Sequence, residues 1–176
     1  MLASNYASAL YDIATENGLQ ELFLSHLKDT QQIFKDVPKF YKFLCSTSIK
    51  NEEKIKLIDK TFKDFSSLYV NFLSVLVKNK RFKIFFEIKT EYRKIFNEHY
   101  NILHIDVYSA TLLTDVQLEN LKKSLLIGKF KGKNLILHNH VEKDLIGGVR
   151  ILCNGESIDL SILNSLKKLK DSLERG

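Results

Sequence analysis

The 176-residue chain has one proline and two cysteines. Cys45 and Cys153 stand far apart with no paired spacing, which argues against a disulfide framework or a cysteine-based zinc cluster and makes a reducing, intracellular setting the expectation. Long apolar runs are also missing. The best candidate for a membrane span, "VNFLSVLV" at 70 to 77, falls far short of the ~20 residues that a bilayer crossing requires. The start, "MLASNYASAL", shows no basic segment followed by an apolar stretch, no small-residue cleavage site and no arginine-rich transit pattern. The expectation is therefore a soluble or peripheral protein without an export signal.

What is present is enough chain for one domain or two small ones, burying roughly 70% of the unfolded surface. Net charge is +6, unevenly spread. Lys78, Lys80, Arg81, Lys83, Lys89, Arg93 and Lys94 face only Glu87 and Glu91 in the same stretch. That basic patch keeps a nucleic-acid-binding module as the alternative reading. Carboxylates set among lysines at helical spacing make a solvated helix face the simpler one.

The first hundred residues read as consecutive helices, because apolar positions recur at three and four. Tyr6, Ala9, Leu10 and Ile13 make one stripe, with Gly18 as its C-terminal stop. Leu19, Leu22, Phe23, Leu27, Thr30 and Phe34 continue the period until Val37 and Pro38 interrupt it. A short helix, "PKFYKFLC", follows. Ser48 is expected to cap the next, with Ile55, Ile58 and Phe62 inward and Glu52, Glu53, Lys54 and Lys56 in water. Ser66 opens a helix apolar almost all round, from Leu68 to Val77, expected to be central. Phe82, Phe85, Ile88, Tyr92, Ile95 and Phe96 mark a long amphipathic helix over 82 to 100.

At "NILHIDVYSA" the period changes to two, with Leu103, Ile105 and Val107 on one face and His104, Asp106 and Tyr108 on the other. Thr114 and Gln117 then form a capping box for a helix ending at Gly128. "NLILHNHV" and "GVRILCN" read as further strands, and Asn154-Gly155 as a tight turn. Asp159 or Ser161 is expected to cap a last helix striped by Leu163, Leu166, Leu169 and Leu173. The predicted fold is mainly α: a six-helix bundle over 1–103, then a small α/β domain over 104–176 with two or three strands and two helices.

Several stretches resemble catalytic or ligand sites and fail on spacing. "GKFKGKN" at 128 to 134 has three residues between its glycines where a phosphate-binding loop needs four, Asn134 replaces the hydroxyl, and helix precedes strand. His138 and His140 share a strand face but lack a third ligand at motif spacing, so an outward polar face is the simpler reading. Glu52 and Glu53 diverge on a helix, wrong for an acid/base pair. Gly147-Gly148 has neither a third glycine nor a following helix, so it reads as flexible backbone opening a strand, with room for a bulge or close packing. Neither an enzyme nor a metal or cofactor is expected.

In order along the chain, "YASALYDIA", "KNKRF", "IDVYSATLLTDVQLENLKKSL" and "DLIGGVRILCNGESIDLSILNSLKKL" together resemble the delta subunit family of F-type ATP synthase, whose mitochondrial counterpart confers oligomycin sensitivity. The last stretch matches that family's C-terminal signature through Gly147, Gly148, Val149, Ile151, Asp159, Ser161, Leu166 and Leu169. One departure is Lys80, where the family often has glycine.

The resemblance implies a stator subunit with no chemistry of its own, holding the catalytic head against rotation during proton-driven ATP synthesis. Its helical domain would hold the N-terminal helix of an alpha subunit between the first and fifth helices, at Tyr6, Ala9, Leu10, Phe72, Val75 and Val77. Its second domain would meet the C-terminal region of the b subunit through Leu163, Leu166, Leu169 and Leu173, with Gly147 and Gly148. It further implies one copy per complex, no nucleic acid, no cofactor, and a peripheral place on the cytoplasmic side of a bacterial inner membrane, reached only through the complex. An amphipathic membrane-surface protein is the remaining alternative, and Lys167, Lys168 and Lys170 fit it only in part.

Overall fold

The computed structural model describes residues 1–128, 130–145 and 147–161. The chain divides after Phe96 into two compact units. The fold is mainly helical, with one small mixed sheet of four strands.

Six helices precede the first strand: α1 (Leu2–Glu16), α2 (Gln20–Asp36), α3 (Pro38–Cys45), α4 (Asn51–Thr61), α5 (Ser67–Lys78) and α6 (Phe85–His99). Pro38 sits in the first turn of α3, where its missing N–H costs nothing and its fixed φ suits a helix start. The expected start of the sixth helix at Phe82 is instead a single 3₁₀ turn, Phe82–Ile84, leading into α6.

The core of this unit is unusually aromatic. Phe34 lies between 5.3 and 6.4 Å, centroid to centroid, from the rings of Phe40, Tyr41, Phe82, Phe85 and Phe86, mostly edge to face. Tyr69, fully buried, exchanges a 2.9 Å hydrogen bond with Thr30, so its hydroxyl is satisfied without water. His26 stacks on Phe65 at 4.2 Å, and its Nε2 accepts the backbone N–H of Ser66. Burial, opposed by the charge of Asp29, lowers the His26 pKa.

Four expectations for this unit are corrected. The stripe of α1 that enters the core is Ala7, Leu10, Tyr11 and Ala14, one residue round from the expected set; Tyr6 is half-buried, while Ala9 and Ile13 are exposed. In α2 the exposed Leu22 leaves the core to Phe23, His26, Leu27, Thr30 and Phe34. Ser48 caps nothing, since α4 starts at Asn51 after Lys50 without a side-chain cap. Lys54 is buried, its long stem covering apolar neighbours while Nζ donates to the Ser46 carbonyl.

In the second unit, strand β1 (Ile102–Ser109) is followed by α7 (Asp115–Ile127), then β2 (Asn134–Val141), β3 (Gly148–Cys153) and β4 (Glu156–Ser161). Their order is β2-β1-β3-β4, with β1 and β2 parallel and the other pairs antiparallel. The capping box forms: the Thr114 hydroxyl accepts the Gln117 N–H while Gln117 Oε1 accepts the Thr114 N–H. Ile105, Val107, Leu135, Ile151 and Cys153 make the sheet's buried face, with Leu121, Leu125 and Leu126 of α7 against it.

The expected two or three strands become four. Asn154 (φ 50) and Gly155 (φ 84) both take positive φ, as a tight two-residue hairpin requires, so the chain turns back to pair with β3. Asp159 is consequently a strand residue in register with Arg150 rather than a helix cap, and Ser161 ends the same strand. The expected last helix, with Leu163, Leu166, Leu169 and Leu173, lies outside the described residues.

Candidate functional site

Helix α1 is apolar on two sides. One side is core, and the other, at Leu2, Tyr6, Ala9 and Ile13, follows the same three-and-four spacing along the surface. Leu2 and Ile13 are each 40% exposed. Helix α5 repeats the arrangement: Leu68, Phe72 and Val75 share a stripe in which Val75 is 42% exposed and Phe72 is nearly covered. The two stripes are tied together at one end by Asn79 Nδ2, which donates to the Tyr6 hydroxyl at 3.0 Å.

The six residues expected to form a groove are therefore of two kinds. Tyr6, Ala9 and Val75 present themselves at the surface, whereas Leu10, Phe72 and Val77 belong to the core beneath. Ile13, Leu68 and Leu2 complete the surface stripe. Their spacing, one turn from residues already chosen, was the signal that would have found them.

The basic patch does not form one track. Lys94 pairs with Glu91 at 2.7 Å. The Lys89 ammonium donates to Gln31, and burial followed by the charges of Arg93, Lys35 and Lys28 holds it below the usual lysine range. Lys80 and Lys83 turn toward the start of α4 instead, lining a small cavity there. Lys78 and Arg81 are exposed.

In the second unit the open sheet face is polar. His104 Nδ1 and His138 Nε2 are hydrogen-bonded at 2.9 Å across β1 and β2, while His140 bonds Asp106 at 2.8 Å and stacks on Tyr108. The Arg150 guanidinium lies over the same Tyr108 ring and pairs with Glu142. His138 and His140 thus turn to different partners, and no group of three His, Cys, Asp or Glu among the described residues is placed to hold a metal ion. Glu52 and Glu53 are exposed in the first turn of α4. The 128-to-134 stretch joins α7 to β2, with Phe130 buried and Lys133 Nζ donating to Asn101.

Gly148, at φ 78, opens β3 in a conformation that side chains with a Cβ avoid, directly after Gly147. The other residues expected at the stalk surface, Leu163 to Leu173, lie outside the described residues.

A family model described as "ATP synthase delta (OSCP) subunit" matches residues 2–173. The chain is similar to ATP synthase subunit delta of Bacillus cytotoxicus, with 31% identity over 100% of this chain and 97% of the relative. It is similar at 32% identity to ATP synthase subunit delta of Halalkalibacterium halodurans, covering 99% and 96%. Its fold is similar to a chain in the cryo-EM structure of the Toxoplasma gondii mitochondrial ATP synthase hexamer, with a TM-score of 0.65 and 18% identity, covering 98% of this chain and 97% of that one.

Proposed function

The chain belongs to the ATP synthase delta (OSCP) subunit family, and from that premise we propose that the paired stripes of α1 and α5 seat the N-terminal helix of an alpha subunit. Its role is that of a stator, a structural link of the peripheral stalk that associates with other ATP synthase subunits. No helix among the described residues is long and apolar enough to cross a membrane, which agrees with a peripheral subunit. The finer assignments follow from this premise. The six helices are the head-binding bundle, the second unit meets the b subunit's C-terminal region, the chain itself catalyses nothing, and the site of action is the cytoplasmic face of a bacterial inner membrane.

The observation that carries the reading is the second apolar side of α1. A helix of a small isolated unit needs only one apolar stripe, and a contiguous apolar surface marks a place where another chain binds. Tyr6, Ala9 and Ile13 with Leu68 and Val75, over a floor that includes the nearly covered Phe72, offer an apolar trough for i, i+3, i+4 anchors, and the small Ala9 leaves space for the partner backbone.

The mechanics explain why the contact should be apolar. Rotation of a central shaft drags the head with it unless an outer stalk restrains the head, so the joint must stay bound under load. A nanomolar joint corresponds to about 12 kcal/mol, supplied chiefly by a well-packed centre rather than rim charges.

The test is calorimetric titration with a peptide of the cognate alpha subunit's first twenty or so residues, for the native chain and for Val75→Asp. Saturable binding near 1:1 that Val75→Asp abolishes, with circular dichroism unchanged, supports the assignment. Binding that survives the substitution, or no binding to the native chain, refutes it.

A further inference from the structure

Between the end of α3, the start of α4 and the corner after α5 lies a cavity of about 130 Å³. Its lining includes Cys45, Ser46, Asn51 and three lysines, Lys54, Lys80 and Lys83, and no carboxylate. A water molecule needs only about 10–15 Å³ of such space, so a polyatomic anion with some of its hydration fits.

Lys54 is 5% exposed, yet its Nζ meets only the neutral carbonyl of Ser46, and no carboxylate of the described residues lies within ion-pair distance of it. The cavity lining carries no carboxylate, and an anion there would supply the counter-charge that its three lysines lack. The α4 helix begins beside it without a side-chain cap, so its first-turn N–H groups add positive potential. Glu52 and Glu53 of that turn are exposed and do not line the cavity. The backbone gives an independent sign. Lys80 takes φ 55, a left-handed conformation that strains a residue with a Cβ, at a position from which it lines the cavity.

We propose that this cavity is an oxyanion seat, in which Lys54, Lys80 and Lys83 hold a phosphate or carboxylate group against the start of α4. The bound group would come either as inorganic phosphate or as the acidic side chain of a neighbouring subunit. The half-buried Cys45 lies at its wall, where burial raises the thiol pKa, while Tyr41, Lys83 and Lys54 pull it down. An added anion would raise it further, making Cys45 a built-in reporter. The inference does not depend on what docks against α1 and α5.

The test is an amide-resolved NMR titration of the full chain with sodium phosphate at constant ionic strength, repeated with sodium acetate. Saturable shifts at Cys45, Ser46, Thr47 and Asn51, accompanied by slower alkylation of Cys45, are expected. Affinity should fall about tenfold in Lys54→Met and in the doubly exposed variant Lys80→Gln/Lys83→Gln, as for loss of a charge-assisted hydrogen bond. The second variant keeps the result interpretable if burying methionine disturbs the fold. Response to phosphate alone assigns the seat to the free anion, and an equal response to acetate assigns it to a carboxylate side chain. Shifts that do not saturate, or that both variants leave unchanged, overturn the proposal.

Discussion

The two units dispose of their surfaces in opposite ways. In the helical unit, aromatic rings fill the core, and an apolar stripe is left over on α1 and α5. In the second, the sheet hides its apolar face against α7 and satisfies its open polar face internally, through His104 with His138, His140 with Asp106, and Arg150 with Glu142. A surface whose groups are already paired gives little reason to look for a missing partner, whereas unpaired apolar area does. The paired sheet face thus carries a weaker sign of a docking site than the stripe on α1 and α5, although Val116 and Ile127 at the two ends of α7 are exposed as well.

The largest effect should separate core from stripe inside α1 and α5. Leu10, 1% exposed, and Val75, 42% exposed, were grouped by sequence as neighbours in one groove. Leu10→Ala should cost about 2–5 kcal/mol of stability, as core truncations do. Val75→Asp should cost little stability, within about 0.5 kcal/mol as for surface changes, while removing peptide binding. Urea denaturation of both variants checks the pair, and equal losses of stability would erase the distinction between stripe and core.

In the second unit a comparable probe is Thr114→Ala. It removes the hydroxyl half of a capping box, leaving the Gln117 side chain on the backbone N–H of residue 114, on a helix with no fully buried residue, so about 1 kcal/mol of stability should go. Amide hydrogen exchange should locate the loss in α7. Loss spread equally over the helical unit would mean that the two units do not unfold separately.

Acid provides a smaller, selective contrast. His26 is held neutral by burial, with Nε2 accepting the Ser66 N–H, so its folded pKa lies below the unfolded value of 6.5. As pH falls below 6.5 the unfolded chain takes up the proton first, and stability declines until the folded pKa is passed. His26→Gln should flatten that decline in the helical unit. An unchanged pH profile would remove His26 as its source.

Most elements were legible because their signals are local. The α3 boundaries, the capping box at Thr114 and Gln117, the hairpin turn at Asn154-Gly155 and the alternation of β1 all follow from a few adjacent residues. The rotation of α1 was not legible, since a helix with apolar residues on two sides does not say by its period which side is core. Lys54 was misplaced because residue type alone sets a lysine in water, and only tertiary packing buries its stem. β4 was hidden by "ESIDLS", whose Ser and Asp suggest a cap as readily as a strand. The stripe was found only in part, because its members look like core residues until the real core is seen.

The smallest expected effect asks whether one local strain is retained for a purpose. After α5, Lys80 N–H bonds the Val77 carbonyl and Arg81 N–H the Leu76 carbonyl, the pair of bonds that closes a helix on a left-handed residue. The other non-glycine residues with positive φ among those described, Asn101 and Asn154, are of the type that tolerates it. Lysine is not. Lys80→Gly should relieve about 1 kcal/mol of strain and lose most of that to the greater freedom of the unfolded chain, for a net gain of a few tenths. Denaturant midpoints read the first quantity and phosphate titration the second. A variant slightly more stable but weaker for the anion would show that the lysine holds an unfavourable backbone angle for its charge. A variant unchanged in anion affinity would leave the strained lysine as a neutral departure at a position glycine suits better, and would remove Lys80 from the seat.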